Sequence, residues 1–204
     1  MLLDSSEMQL VLIDYQPRLM SAIHEGEAVL AQAQRLAKIA AVLEVPIWGT
    51  EQNPERLGEL AAPLRGLCRK VLPKMTFSAV AEGLGDWLRP PQRAPQGNAR
   101  SLPRHLRRDA AGEGGARSPR ETILLAGCEA HVCVLQTALE LLDEEFDVWV
   151  VTDACGSRRL SDRDAAFDRL ASAGVELVTT EMVAFEGLRS AEHPQFKAVQ
   201  SLIR

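Results

Sequence analysis

The stretch Thr122-Ile123-Leu124-Leu125-Ala126-Gly127-Cys128-Glu129-Ala130-His131-Val132-Cys133 decides how the chain is read. Its first five residues form a short apolar run, the pattern of a strand covered on both faces in a parallel sheet, and Gly127 ends it. From about residue 132 to 144 the period changes. Val134, Ala138 and Leu141 make one stripe and Leu135, Leu139 and Leu142 an adjacent one, so a helix follows with Cys133 in its first turn. A strand feeding a helix is half of a right-handed crossover, and a chain of such units builds a parallel sheet with helices on both faces.

The same alternation extends in both directions. Residues 9–13 (Gln-Leu-Val-Leu-Ile) are a first strand ending in Asp14, and a helix over about 27–44 places Val29, Ala33, Leu36, Ala40 and Leu43 on one face. A second strand falls at 45–48 and a third near 67–72, stopped by Pro73. Residues 77–88 predict a helix weakened by Gly83 and Gly85. After the fourth strand come a fifth at 147–152 and a helix over 161–173 with Ser161 as its cap and Gly174 as its stop. A sixth strand at 175–178 and a last helix opening at Pro194 complete the series. The expected fold is α/β: a three-layer αβα, Rossmann-like arrangement of six parallel strands with helices on both faces.

One segment breaks the pattern. Residues 89–120 carry eight arginines against Asp109 and Glu113, five prolines and four glycines, with Leu102 and Leu106 the only large aliphatics. Such a segment buries too little surface to offset its ordering entropy, so it reads as an insertion in one domain spanning 1–204. A linker between two domains is the weaker reading, because neither flank is self-sufficient.

Composition narrows the function classes. The 204 residues suffice for one apolar core, and 46% hydrophobic with 25% charged residues is ordinary for a globular chain. No apolar run approaches a membrane span, and Asp4 and Glu7 stand where a leader would be basic, so a cytoplasmic protein without membrane partners is expected. The net charge of −5 speaks against nucleic acid as the main partner. Four cysteines at 68, 128, 133 and 155 fit neither a disulfide framework nor zinc spacing, which leaves buried thiols or a catalytic one.

In an open parallel sheet, ligands bind outside the carboxyl ends of the strands. There the first strand delivers Asp14, the third Lys74, and the fourth the run from Gly127 to Cys133. An acid, an amine and a thiol at one edge are the parts of an acyl-transfer site. A lysine and a helix N-terminus lower a thiol's pKa, and a carboxylate passes its proton to a leaving group. Gln16, Gln52, Phe77, Glu129 and His131 flank these positions and are the substrate-pocket candidates.

At these residues the chain resembles the isochorismatase-like cysteine hydrolases, and among them the small bacterial and animal isochorismatase-domain proteins of unassigned substrate. The resemblance rests on Leu12-Ile13-Asp14-Tyr15-Gln16, Thr50-Glu51-Gln52-Asn53-Pro54, Lys74-Met75-Thr76-Phe77-Ser78-Ala79, Gly127 through Ala138, and Val151-Thr152-Asp153-Ala154 with Ser157-Arg158. It implies that Cys133 is the nucleophile, Asp14 its general base and Lys74 the cation that holds both. It further implies a cis peptide between Glu129 and Ala130, with the backbone N–H groups of Ala130 and Cys133 as an oxyanion hole.

Two features set the activity that the resemblance implies. Where metal-binding nicotinamidases of this family carry an Asp-x-His pair, this chain has Glu51-Gln52-Asn53, so no catalytic metal and no other cofactor is expected. Isochorismatases proper lack the cysteine nucleophile, so Cys133 points to hydrolysis of an amide or ureido C–N bond through a thioester. The expected partners are a small-molecule substrate and further copies of the chain in a homo-oligomer. A non-catalytic scaffold that binds partners through its basic insertion is the alternative, and intact Asp14, Lys74 and Cys133 favour the enzyme.

Overall fold

A computed structural model describes residues 2–89 and 120–203. Their six strands pair in parallel in the order β3-β2-β1-β4-β5-β6. These are β1 (Met8–Ile13), β2 (Ile47–Gln52), β3 (Lys70–Lys74), β4 (Thr122–Gly127), β5 (Asp147–Val151) and β6 (Glu176–Val178). The helices are α1 (Pro17–Met20), α2 (Gly26–Val42), α3 (Pro54–Leu57), α4 (Ala62–Arg65), α5 (Leu84–Leu88), α6 (Leu135–Asp143), α7 (Leu160–Ser172), α8 (Thr180–Leu188) and α9 (Phe196–Ile203).

Side chains alternate along the two central strands, and each face finds its own cover. Met8, Leu10 and Leu12 of β1, with Leu124 and Ala126 of β4, pack with Leu36, Ile39 and Ala40 of α2, Val183 and Leu188 of α8, and Val199 of α9. Val11, Ile13, Ile123 and Leu125 face the other way, into Leu135, Ala138 and Leu141 of α6 and Leu170 of α7. Both strands are therefore buried along their whole length, which is why they read as unbroken apolar runs. The expected three-layer α/β fold is the one found.

Local departures have local causes. β3 does not stop at Pro73 but runs through it to Lys74, because β3 is the edge strand and needs no donor on its outer side. The helix expected over 77–88 is reduced to a 3₁₀ turn at Val80–Glu82 and the short α5, separated at Gly83, whose φ of 90° lies in the left-handed region. α7 begins at Leu160 with Arg159 as its cap residue and no capping side chain, so Ser161 lies inside the helix. α8 was not expected from the sequence. Thr179 caps it through Met182 N, and Gly187 lets it approach α2, since a Cβ there would stand 2.9 Å from Leu43 Cδ1.

The insertion read at 89–120 lies outside the described residues except for its two ends. Gln9 Nε2 donates to both Leu88 O and Arg120 O at 2.8 Å, so one buried amide clasps the chain where it leaves and where it returns. Arg89 lies over the Phe146 ring at 4.1 Å and pairs with Glu121, while Arg120 Nη1 donates to Ser5 O and Met8 O at 2.8 Å. We propose one domain interrupted by an insertion. Replacing residues 90–119 by a short Gly-Ser bridge is expected to leave the thermal midpoint within a few degrees, and a collapse of folding by circular dichroism would contradict this.

Candidate active site

The strand order changes direction between β1 and β4, so the crevice of a doubly wound sheet opens beyond their carboxyl ends. Asp14 follows β1 there, with its backbone at φ 56°, a left-handed conformation that costs a non-glycine residue about 1 kcal/mol or more but that aspartate, like asparagine, tolerates better than most. Gln16 N donates to Asp14 O at 2.8 Å and closes the turn. Asp14 and Lys74 are both fully withdrawn from solvent, and Lys74 Nζ lies 2.7 Å from Asp14 Oδ2.

The ammonium has four oxygens within reach. Besides Asp14 Oδ2, Lys74 Nζ meets Gln52 Oε1 at 2.5 Å, Phe77 O at 3.0 Å and Thr76 O at 3.3 Å. Asp14 Oδ2 feels the positive charge at close range yet receives no aligned hydrogen bond from any described group. Its other oxygen, Oδ1, accepts the Thr50 hydroxyl at 2.6 Å. The carboxylate thus keeps one oxygen bonded and one open.

Cys133 is 5% exposed and lies on a π-helical turn, Ala130–Val134, that precedes α6, rather than in the first turn of an α-helix. Asp14 and Lys74 both act on its thiol by charge, and the sulfur stands 4.0 Å from Gln52 Oε1. The three residues singled out as nucleophile, base and cation therefore converge. The lowered thiol pKa expected for Cys133 does not. Burial first, then the Asp14 charge, push it up to about 12, and Lys74 offsets only part of this. At rest the proton belongs on sulfur.

Two further expectations are corrected. The cis peptide joins Cys128 to Glu129, one bond earlier than Glu129–Ala130. The Ala130 N–H, cast as an oxyanion donor, is spent on Gly156 O at 2.8 Å, while those of Val132 and Val134 go to Glu129 O.

The pocket candidates divide. Gln52 enters the centre, and Gln16, fully buried, fixes it from behind by accepting Gln52 N at 2.9 Å and donating to Gln52 O at 3.0 Å. Phe77 contributes its carbonyl to Lys74 while its ring is exposed. Glu129 is paired with Arg158 Nε at 2.8 Å, and His131 Nδ1 lies 2.9 Å from Ser157 Oγ, so both tie the turn that carries Cys133 to the loop after β5. Glu82 holds the loop after β3 by accepting from Met75 N and Thr76 N, and these bonds lower its pKa. A hollow of about 420 Å³ between residues 53–56, 73–75 and Glu82 borders Lys74 but not Asp14 or Cys133.

Sequence reasoning missed Thr50 as a site residue. Its register opposite Ile13 places it beside Asp14, yet a threonine inside a strand carries no signal of its own in one sequence. Of the remaining cysteines, Cys128 and Cys155 are buried, the latter with its thiol pushed up to about 12 by burial, and Cys68 is half-buried.

A thiol, a carboxylate oxygen without an aligned partner and a fixed ammonium thus stand together at the switch point of a parallel sheet. The chain belongs to the isochorismatase domain family. The family's model, described as Isochorismatase domain, matches residues 115–182. Isochorismatase domain-containing protein 2A of Mus musculus is 33% identical over 195 residues, covering 96% of this chain and 82% of that protein. Isochorismatase domain-containing protein 1 of Danio rerio is 33% identical over 192 residues, 94% of this chain and 59% of its own. Among solved structures, MAR1 ribonuclease from Caenorhabditis elegans superposes with a TM-score of 0.82 at 29% identity, over 100% of this chain and 92% of that one. The YcaC product of Escherichia coli, an octameric hydrolase of unknown specificity, gives 0.77 at 24%, over 99% and 89%. The chain thus carries the fold of isochorismatase-family hydrolases, and no helix among the described residues is long and apolar enough to cross a membrane.

Proposed function

We propose that the chain is a metal-independent cysteine hydrolase that cleaves the C–N bond of a small amide or ureide. The observation that carries this reading is the open Oδ2 of Asp14, buried between the Lys74 ammonium and the Cys133 thiol. In the first step Asp14 takes the thiol proton as sulfur attacks the carbonyl carbon. The oxyanion is held by the backbone N–H of Cys133, because that of Ala130 is spent on Gly156 O. Collapse breaks the C–N bond, and the departing nitrogen takes the proton from Asp14, leaving a thioester. Water, deprotonated by the same carboxylate, then attacks the thioester carbon and returns the proton to sulfur on release.

The end of β2 offers no metal site. Glu51 is turned to Leu60 N at 2.8 Å and Arg65, and Gln52 is engaged by Lys74. Chelators are therefore expected to leave turnover unchanged, and stoichiometric metal whose removal abolishes turnover would overturn the metal-free step. Exposed Met75 and Phe77 beside the site fit a homo-oligomer, to be read from light scattering.

The decisive experiment is Asp14→Asn. Because the Asp14 charge helps to raise the thiol, its removal leaves Lys74 opposed by burial alone, and Cys133 ionises at lower pH than in the wild type, followed by ultraviolet thiolate absorbance against Cys133→Ala. Turnover across a panel of small amides and ureides, with short RNA as a control, falls at the same time by roughly 10²-fold or more. More thiolate with less activity marks the carboxylate as the base. Unchanged turnover in that variant, or turnover of RNA alone, would sink the proposal.

A further inference from the structure

Thr50 sits inside β2, opposite Ile13, with its side chain fully buried. Valine would fill the same space and suits a strand as well, whereas a buried hydroxyl is costly unless it finds a partner. The partner here is Asp14 Oδ1, at 2.6 Å, and it is the one aligned side-chain hydrogen bond that the Asp14 carboxylate receives among the described residues.

That single bond decides which oxygen is free. Lys74 is shared among Gln52, Thr76 and Phe77 as well as Asp14, and its contact with Oδ2 is not an aligned hydrogen bond, so it attracts the carboxylate without fixing its rotation. With Oδ1 tied to Thr50, Oδ2 is left open beside the ammonium. Without Thr50 the carboxylate can turn about its Cβ–Cγ bond and lose the alignment that proton transfer from sulfur requires.

We propose that Thr50 is a positioning residue: its hydroxyl locks Asp14 Oδ1, so that Oδ2 stays available to take the Cys133 proton. This rests on the hydrolase reading for its consequence in turnover, but the Thr50–Asp14 lock itself does not. The hydroxyl keeps its own proton throughout; the proton that moves is the thiol's, first to Asp14 and then to the leaving nitrogen.

The test compares Thr50→Val with Thr50→Ser. Under the proposal, Val lowers kcat about 10- to 100-fold with KM unchanged, and Ser, which restores the hydroxyl, recovers to within about threefold. A residue that merely filled space would behave in the opposite order, because Val keeps the volume and Ser leaves a methyl-sized void. A second readout needs no substrate. In protein labelled with ¹³C-aspartate, the infrared carboxylate band that disappears in Asp14→Asn shifts in Thr50→Val and returns in Thr50→Ser. A Val variant with wild-type kcat, a Ser variant worse than Val, or a band that does not move overturns the proposal. If the band shifts as stated while the wild type cleaves no amide or ureide, the lock stands and the hydrolase reading fails instead.

Discussion

Lys74→Met lowers the stability of the fold by about 3–5 kcal/mol, because it leaves the Asp14 carboxylate buried with no compensating charge. The size follows from the geometry. Two charges 2.7 Å apart attract by about 6 kcal/mol at an effective dielectric of 20, which roughly offsets the several kcal/mol that each ion loses on leaving water. Intact, the pair is near break-even; with one partner gone, the desolvation cost of the other stands alone. The Gln52, Thr76 and Phe77 oxygens that Lys74 satisfies are orphaned too. The double variant Asp14→Asn/Lys74→Met recovers most of the loss, since Asn accepts the left-handed backbone at position 14 and brings no charge. Urea unfolding of the four proteins measures the coupling. A single variant within about 1 kcal/mol of wild type would mean that the two charges are not confined together.

The architecture was legible because the central strands are buried on both faces, which produces short apolar runs that amphipathic helices do not mimic. Where the chain departs from that rule, the sequence misleads. Pro73 reads as a stop, yet it is tolerated on an edge strand, and whether a strand is an edge is a property of the finished sheet. α8 stayed hidden because it packs an apolar face through Gly187, a residue that on its own argues against a helix.

At the candidate site, the residues at strand ends were legible and the one inside a strand was not. Asp14, Lys74 and Cys133 announce themselves by standing at strand ends, where each residue type has one obvious chemistry. Thr50 and the sharing of Lys74 among four oxygens depend on distances that no spacing encodes. The thiol's pKa was misjudged for a related reason. A lysine and a helix start lower it in the abstract, but burial and a carboxylate on the other side raise it by more, and only the packed structure ranks those effects.

That ranking sets the result expected for Cys133→Ala and Cys133→Ser. If sulfur is the nucleophile, Ala removes the only route to a thioester, and turnover of any amide or ureide that the wild type accepts falls by at least about 10³-fold, equivalent to roughly 4 kcal/mol of transition-state stabilisation. Ser falls nearly as far, although its oxygen occupies almost the same place, because an alcohol is a far weaker acid than a thiol and Asp14 cannot strip its proton as readily. Neither change threatens the fold. The side chain is small, the turn is held by its own backbone bonds to Glu129 O and Gly156 O, and a shift in thermal midpoint of only a few degrees is expected. A large kinetic loss beside a small stability loss separates a nucleophile from a buried packing residue, for which the two would change together. Mass spectrometry of wild type quenched during turnover adds the positive sign: an acyl mass on the peptide containing Cys133 and on no other cysteine peptide. An Ala variant that keeps more than a tenth of the wild-type rate would remove Cys133 from the chemistry and return it to the core.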